Sequence, residues 1–408
     1  MQVSTSLSAG QRWSFAALLA ALSMIGPFSV DAYLPAFPAI GRDLGVAQLA
    51  VQQTLSIYLI AFAFMMLWHG AISDVFGRKP VIVAGLIVYT IATLGCAIAG
   101  NIETLWLFRA LQGMSAGTGA VLGRAMIRDR FQGAEAQRLM SQVTLVFGVA
   151  PAVAPVIGGL LLNAFGWRSV FWFMFALSCA LLVLCVGKLP ETHLRSGRQR
   201  LAPRALWRNY AAILRRPEFL LLACIPALNF AAFFIYIASA PAFLIDLLGV
   251  SSSGFAWLFV PMIAGVMLGA VLSGRLAGEL PPQRTVLVGY ALLFLGCAIN
   301  LLVSSLSRNG VALHVLPIMI FSAGSSLIMP SVTLLMLDLF PTMRGLLSSL
   351  QAFVQFGFAA LVAGSLAPAL SGSLMALALG MVTLALASFV LWRIYSMHVP
   401  TRTTEFSS

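Results

Sequence analysis

Along its 408 residues the chain alternates long apolar runs with short polar breaks. A run of about 20 residues, rising 1.5 Å per residue, crosses the hydrocarbon core of a bilayer as a helix. Twelve such runs begin near Trp13, Ala50, Val81, Thr104, Gln137, Trp167, Glu218, Gly254, Thr285, Val311, Gly345 and Ser373, and are numbered here as spans 1 to 12. The first, residues 13–34, is too long for a signal-peptide core and lacks a small-residue cleavage site, so it stays as span 1. Most breaks are only a few residues. The exception, residues 188–217, is basic (Arg195, Arg198, Arg200, Arg204, Arg208, Arg215, Arg216), and its stretch 201–214 reads as an amphipathic helix on the membrane surface. The pattern predicts an all-α polytopic membrane protein with twelve transmembrane helices in two six-helix bundles. Its parts are an N-terminal bundle over 1–187, the linker 188–217, a C-terminal bundle over 218–395 and a tail over 396–408.

Composition narrows the class. Hydrophobic residues make up 60% of the chain and charged residues 9%, against about 25% charged in an ordinary soluble domain. The 35 glycines and 19 prolines would be costly in soluble helices, whereas membrane bundles use small residues for close contacts and broken helices around cavities. A net charge of +12 raises nucleic-acid binding as a possibility. Its distribution argues against that, because the basic residues gather in alternate loops. With both termini inside, the inner segments hold 20 of the 24 Lys and Arg, the outer loops hold Arg42, Arg168 and Arg308, and Arg109 lies within span 4. All five cysteines fall in apolar segments without Cys-x-x-Cys spacing, so neither disulfides nor a metal site is expected.

The turn GAISDVFGRKP at residues 70–80 is the most informative polar break. It sits between two runs with almost nothing polar. Gly70 and Gly77 allow close helix approach, Asp74 suits a neighbouring helix N-terminus, and Arg78 and Lys79 face anionic headgroups. This turn resembles the loop between helices 2 and 3 of the major facilitator superfamily. A weaker copy, GAVLS at 269–273, follows span 8 with serine in place of the aspartate. Two parallel six-helix repeats with a substrate cavity between them are what that resemblance implies.

Two ionisable residues lie well inside the predicted hydrocarbon, Asp31 in span 1 and Arg109 in span 4. From the outer boundary each is about 16 Å and about 9 Å deep, respectively, and an arginine side chain spans much of the difference. Either charge alone in lipid costs at least about 3 kcal/mol, so the two should face inward and pair. One reading is a structural ion pair fixing span 1 to span 4. The other makes Asp31 the proton-binding group and Arg109 its tuner, since burial disfavours a charged carboxyl and a guanidinium favours it.

The surrounding motifs extend the resemblance. DAYLPAFP at 31–38 looks like the helix-1 signature of the twelve-helix drug:proton antiporters, and LWLFRALQG at 105–113, with Arg109, Gln112 and Gly113, matches their helix-4 motif. PAVAPVIGG at 151–159, with Pro151, Pro155, Gly158 and Gly159, resembles the antiporter bend, although Ala154 replaces its usual glycine. With RD at 128–129 and PET at 190–192, the set is most similar to the Bcr/CflA-like group of bicyclomycin and chloramphenicol exporters. The bend is equally an ordinary kink, or, with its glycines against the other half, a rocking point.

The resemblance implies a proton-coupled antiporter that exports amphipathic small molecules across the bacterial inner membrane. It would act as a monomer with both termini cytoplasmic, no cofactor beyond the proton gradient, and no partners except substrate, protons and lipid. Asp74 would close an inner gate against the N-terminus of span 11 near Gly345, with Arg124 or Arg128 sharing it. Cavity candidates are Tyr33, Tyr58, Met114, Asn229, Phe233, Tyr236, Met262, Gln351 and Phe356, although a residue of each such kind is more often an ordinary packing residue. Asn229 and Tyr236 lie two turns apart, on one face, taken to point inward. Proton-coupled transport of a sugar or other metabolite is the rival reading, disfavoured by the scarcity of polar groups. An enzyme is not expected, because no nucleophile elbow or metal-ligand spacing appears, and a receptor or scaffold is disfavoured too. His69 and His314 lie near span ends, where a histidine needs no function; Asp246 and Asp338 are boundary acids.

Overall fold

In hydrocarbon every backbone N–H and C=O must be satisfied within the chain, so apolar runs of this length can only be helices or closed barrels. The computed structural model describes residues 9–193, 202–306, 310–341 and 343–398, all the principal elements of which are helical. Expectations for Arg195, Arg198, Arg200, Arg308 and the tail beyond 398 lie outside the described residues. Spans 1 to 3 are α1 (Ala9–Asp31) continued by a 3-10 turn (Leu34–Ala36) and α2 (Phe37–Leu44), then α3 (Gln48–Met66) with α4 (His69–Phe76), then α5 (Arg78–Ala97). Spans 4 to 6 are α6 (Ile102–Ala116) with α7 (Thr118–Arg130), α8 (Gly133–Phe165) and α9 (Arg168–Lys188). The linker carries α10 (Pro203–Leu214). Spans 7 to 9 are α11 (Pro217–Ala238) with a π-helical segment (Ala242–Leu247), α12 (Ala256–Leu276) and α13 (Pro282–Ser305). Spans 10 to 12 are α14 (Val311–Asp338), α15 (Arg344–Leu361) with a second π segment (Val362–Leu366) and α16 (Ala367–Leu370), and α17 (Leu374–His398).

Every span starts within four residues of its predicted start. Among the described residues, eleven helical stretches are long and apolar enough to cross a membrane. The remaining one, span 4, is divided at Gly117, where α6 gives way to α7. The spans alternate in direction, so α1 begins, α10 lies and α17 ends at one face, called here the terminal face. The α1–α3 and α8–α9 connections lie at the opposite, distal face.

Within the first half α1 packs on α7, α8 and α9, α3 on α6, and α5 on α6 and α9. Within the second, α14 packs on α12 and α13, and α11 on α15 and α17. The halves meet where α3 lies along α15 and its π segment, and where α8 lies along α12. Small residues set these distances: a Cβ at Gly113 would collide with the Tyr58 carbonyl, and one at Gly269 with the Ala323 carbonyl.

Gly77 joins α4 to α5 at φ +99°, a conformation that costs an L side chain energy and a glycine little. Gly70, expected to mediate helix approach, instead faces open space, with nothing within 4 Å of where a Cβ would stand. The α8 helix runs unbroken through Pro151 and Pro155.

Candidate transport site and gates

Arg109 is fully buried near the middle of α6. Its Nη1 donates to the Ser29 carbonyl at 3.0 Å and to Gln112 Oε1 at 2.6 Å. Gln112 Nε2 donates onward to the Thr93 hydroxyl at 2.8 Å, which donates to the Tyr89 carbonyl at 2.7 Å. The Tyr89 and Ser29 hydroxyls close the ring at 2.6 Å. The guanidinium carbon lies 4.7 Å from the centroid of Tyr33 and 4.3 Å from that of Tyr58. Away from water each such cation–π contact is worth about 2 kcal/mol. Nε and Nη2 find no acceptor among the described residues. An unpaired buried donor costs about 1–3 kcal/mol, more for a charged group, so the cage holds the cation without exhausting its capacity to bind an anion.

Asp31 ends α1 and is 5% exposed, yet it makes no ion pair or hydrogen bond with another described residue. The expected Asp31–Arg109 pair is therefore not made in this conformation. The α1 carbonyl of Ser29 and the Gln112 side chain instead occupy Nη1, and two tyrosine rings flank the guanidinium. Tyr58 lies within electrostatic range of both charges. A Cβ on Gly158 would collide with the Ala32 carbonyl, so α8 packs directly beside Asp31. Gly158 thus serves the first half internally, not the contact between halves; Gly159, against the Ser252 carbonyl, serves that contact.

At the terminal face Arg78 pairs with Asp74 at 2.7 Å and with Asp129 at 3.1 Å, and its Nη1 also donates to Ser73. Glu191 accepts from the backbone N–H of Arg78 at 3.0 Å and of Lys79 at 3.3 Å, placing a carboxylate at the N-terminus of α5. Thr192 donates to Asp129 at 3.2 Å, and Lys79 Nζ to the Val186 carbonyl at 2.8 Å. The network binds α4, α5, α7 and the end of α9 together, entirely within the first half. Asp74 does not reach α15: a Cβ at Gly345 would find open space, and Arg344 faces Asp338 at 3.5 Å. Arg124 and Arg128 are exposed on α7 and form no ion pair with Asp74. The inner-gate contact expected of Asp74 is not made in this conformation, in which its carboxylate pairs with Arg78 inside the first half.

The distal face is the opposite. Gln53 Nε2 donates to the Gly364 carbonyl at 2.9 Å, the Ser56 hydroxyl to the Ala360 carbonyl at 3.0 Å, and the Ser252 hydroxyl to Asn163 Oδ1 at 2.8 Å. Farther in, Phe62 meets Phe356 edge-on, ring centroids 4.7 Å apart, and Phe356 meets Phe230 at 6.0 Å. The seam is closed at the distal end.

The predicted cavity residues separate. Tyr33 and Tyr58 belong to the Arg109 cage, and Tyr33 hydrogen bonds to Thr54. Asn229 and Tyr236 do not face inward: Asn300 of α13 donates to the Tyr236 hydroxyl at 2.6 Å, and Asn229 lies beside Tyr290 of the same helix. Met262 is fully buried, Phe233 is 9% exposed, and Gln351 donates to Thr333 at 3.0 Å. Met114 is 40% exposed, and Phe356 sits at the seam. Residues that sequence reasoning did not single out are Ser29, Tyr89, Thr93, Gln53 and Ser56. A polar residue in an apolar run was the available signal for each. His69 is buried against the Met114 carbonyl at 3.1 Å. No cluster of metal-ligating side chains occurs among the described residues.

These features define a polytopic helical membrane protein of two six-span halves around a polar, charge-bearing interior. Residues 19–364 match the Major Facilitator Superfamily, and the chain belongs to that family. Its relatives include the Bicyclomycin resistance protein homolog of Haemophilus influenzae, 29% identical over 352 residues covering 86% of this chain and 88% of that one. The Multidrug resistance protein MdtL of Escherichia coli is 31% identical over 287 residues, covering 70% and 71%. The fold is shared with the D-xylose-proton symporter (TM-score 0.72, 15% identity, 93% and 97% covered). It is shared also with a bacterial homolog of the lysosomal transporter Spinster (TM-score 0.71, 16% identity, 96% and 97% covered). The chain is therefore a multi-pass membrane transporter of small molecules and not an enzyme.

Proposed function

We propose that this transporter is a proton-coupled antiporter exporting amphipathic, antibiotic-like molecules across the bacterial inner membrane. The observation that carries the reading is Asp31, a carboxyl 5% exposed and unpaired among the described residues, in the same half as a caged guanidinium with two unused N–H donors, with Tyr58 in electrostatic range of both. Ionisable groups at such depth are costly and functional by default. The names of the relatives support the substrate class. The asymmetry of basic residues supports cytoplasmic termini, which makes the terminal face the inner one and this conformation inward-facing.

With the distal side open, the Asp31 carboxylate takes a proton from the outer aqueous phase and leaves Arg109. After the halves rock to the arrangement seen here, that proton departs to the cytoplasm. The carboxylate then turns toward Arg109 Nε and Nη2, and substrate enters from the terminal side past Met114. Two states of one carboxyl thus bias two arrangements of the halves. The proton gradient is the sole energy source in this scheme, and no cofactor takes part.

The test is one of direction. In inside-out vesicles energised to be acidic inside, the chain should drive bicyclomycin into the lumen, and collapsing the gradient should release it. Accumulation instead in right-side-out vesicles would replace export by uptake.

A further inference from the structure

A cavity of about 710 Å³ opens at the distal face between the two halves. One wall is α2 and the start of α3, carrying Phe37, Arg42, Leu49 and Gln52; the other includes Pro241 and, from the first π segment, Asp246. Arg42 and Asp246 line the same space, and neither makes an ion pair or hydrogen bond with another described residue. Gln52 lines it too, 7% exposed and likewise without a hydrogen-bond partner in the described chain.

A crevice left over between loops would be expected to pair its opposite charges. Here an exposed guanidinium and an exposed carboxylate line one space from opposite halves without pairing, and the largely buried Gln52 side chain lines it with them. The volume falls in the range of about 300–1,000 Å³ common for small-molecule pockets, and apolar walls with a few placed polar groups are their usual composition.

We infer that this vestibule is a second binding site, separate from the Asp31–Arg109 centre, for a small zwitterion with an apolar body. Arg42 takes its anionic group, Asp246 its ammonium, Gln52 a further polar atom, and Phe37, Leu49 and Pro241 its body. The site exists only while the distal seam is shut, because each half supplies one wall. Gln53, next to Gln52, makes the hydrogen bond to Gly364 that closes the seam. A ligand that binds one arrangement and not the other stabilises the first by mass action, so an occupied vestibule holds the transporter closed at its distal face. The inference does not depend on proton coupling or on the direction of transport.

Nε-dansyl-lysine, a zwitterion with an apolar fluorophore, is the probe, titrated by fluorescence into the purified full chain in nanodiscs. The expected result is saturable binding that weakens at least tenfold in both Arg42→Gln and Asp246→Asn. Both side chains are exposed, and gel filtration of each variant checks that the fold is kept. No saturable binding by the unmodified chain, or unchanged affinity in either variant, would overturn the proposal.

Discussion

The two halves solve the same packing problem with different chemistry. The second half joins several of its buried polar groups in neutral pairs: Asn300 with Tyr236 at 2.6 Å, Tyr290 with Ser388 at 2.7 Å, and Gln351 with Thr333 at 3.0 Å. What it leaves unjoined among the described residues, the Asn229 amide and the Ser239 hydroxyl, is neutral too. The first buries a guanidinium and a carboxyl and leaves them unjoined. A neutral pair contributes about 1 kcal/mol and has little reason to rearrange. A buried charge left unpaired is costly, so it gains by finding a partner in another state of the molecule. In the proposed cycle, therefore, switching belongs to the first half, and the second is its neutral counterweight.

The largest effect should come from removing the caged cation. Arg109→Met leaves Gln112 and the Ser29 carbonyl without their donor, and should abolish gradient-driven transport in vesicles. Asn300→Ala, its neutral counterpart, should lower stability by about 1–3 kcal/mol and change transport less than about threefold, read by thermal unfolding beside the same transport assay. Equal transport loss in the two variants would erase the distinction between the halves.

Next in size is the closed seam. Gln53→Ala with Ser56→Ala removes two hydrogen bonds worth about 1 kcal/mol each. The population with the distal face open should rise roughly tenfold or more, read as longer distances between spin labels on the distal ends of α3 and α15. The smallest effect is expected at the linker, where the Tyr210 hydroxyl donates to the Leu67 carbonyl at 2.8 Å and Trp207 packs on Trp68. Tyr210→Phe should cost about 1 kcal/mol. Burial pushes the Tyr210 phenol up to about 12. The raised value means that its contribution is complete below about pH 10, the unfolded value. It then fades as pH rises toward 12, so unfolding between pH 5 and 9 should show no dependence attributable to this group.

The spans, the linker helix and the identity of the two buried charges were legible because each rests on a local property: run length, amphipathic spacing, or a charge inside an apolar stretch. What the charges touch was not legible. Arg109 meets a backbone carbonyl, an amide on its own helix and two rings, and nothing in the chain's order says that Ser29 would reach Nη1 before Asp31 does. The shared face of Asn229 and Tyr236 was readable from their spacing, but its direction was set by Asn300 on a distant helix. Gly158 and Gly159, adjacent in sequence, point to α1 and to the opposite half respectively. Glu191 appeared only as part of a motif, and its place at the N-terminus of α5 emerges from the fold. The gate assigned to Asp74 depends on which state the molecule occupies, and sequence does not choose among states.

The central claim is that the Asp31 carboxyl carries the coupled proton, and one comparison tests it most directly. Full-length protein and its Asp31→Asn variant are reconstituted in liposomes, and bicyclomycin movement is followed with and without an imposed pH gradient. The account predicts that the variant still equilibrates the compound across the membrane but no longer accumulates it against its gradient. Accumulation by the variant equal to that of the unmodified chain would contradict the account.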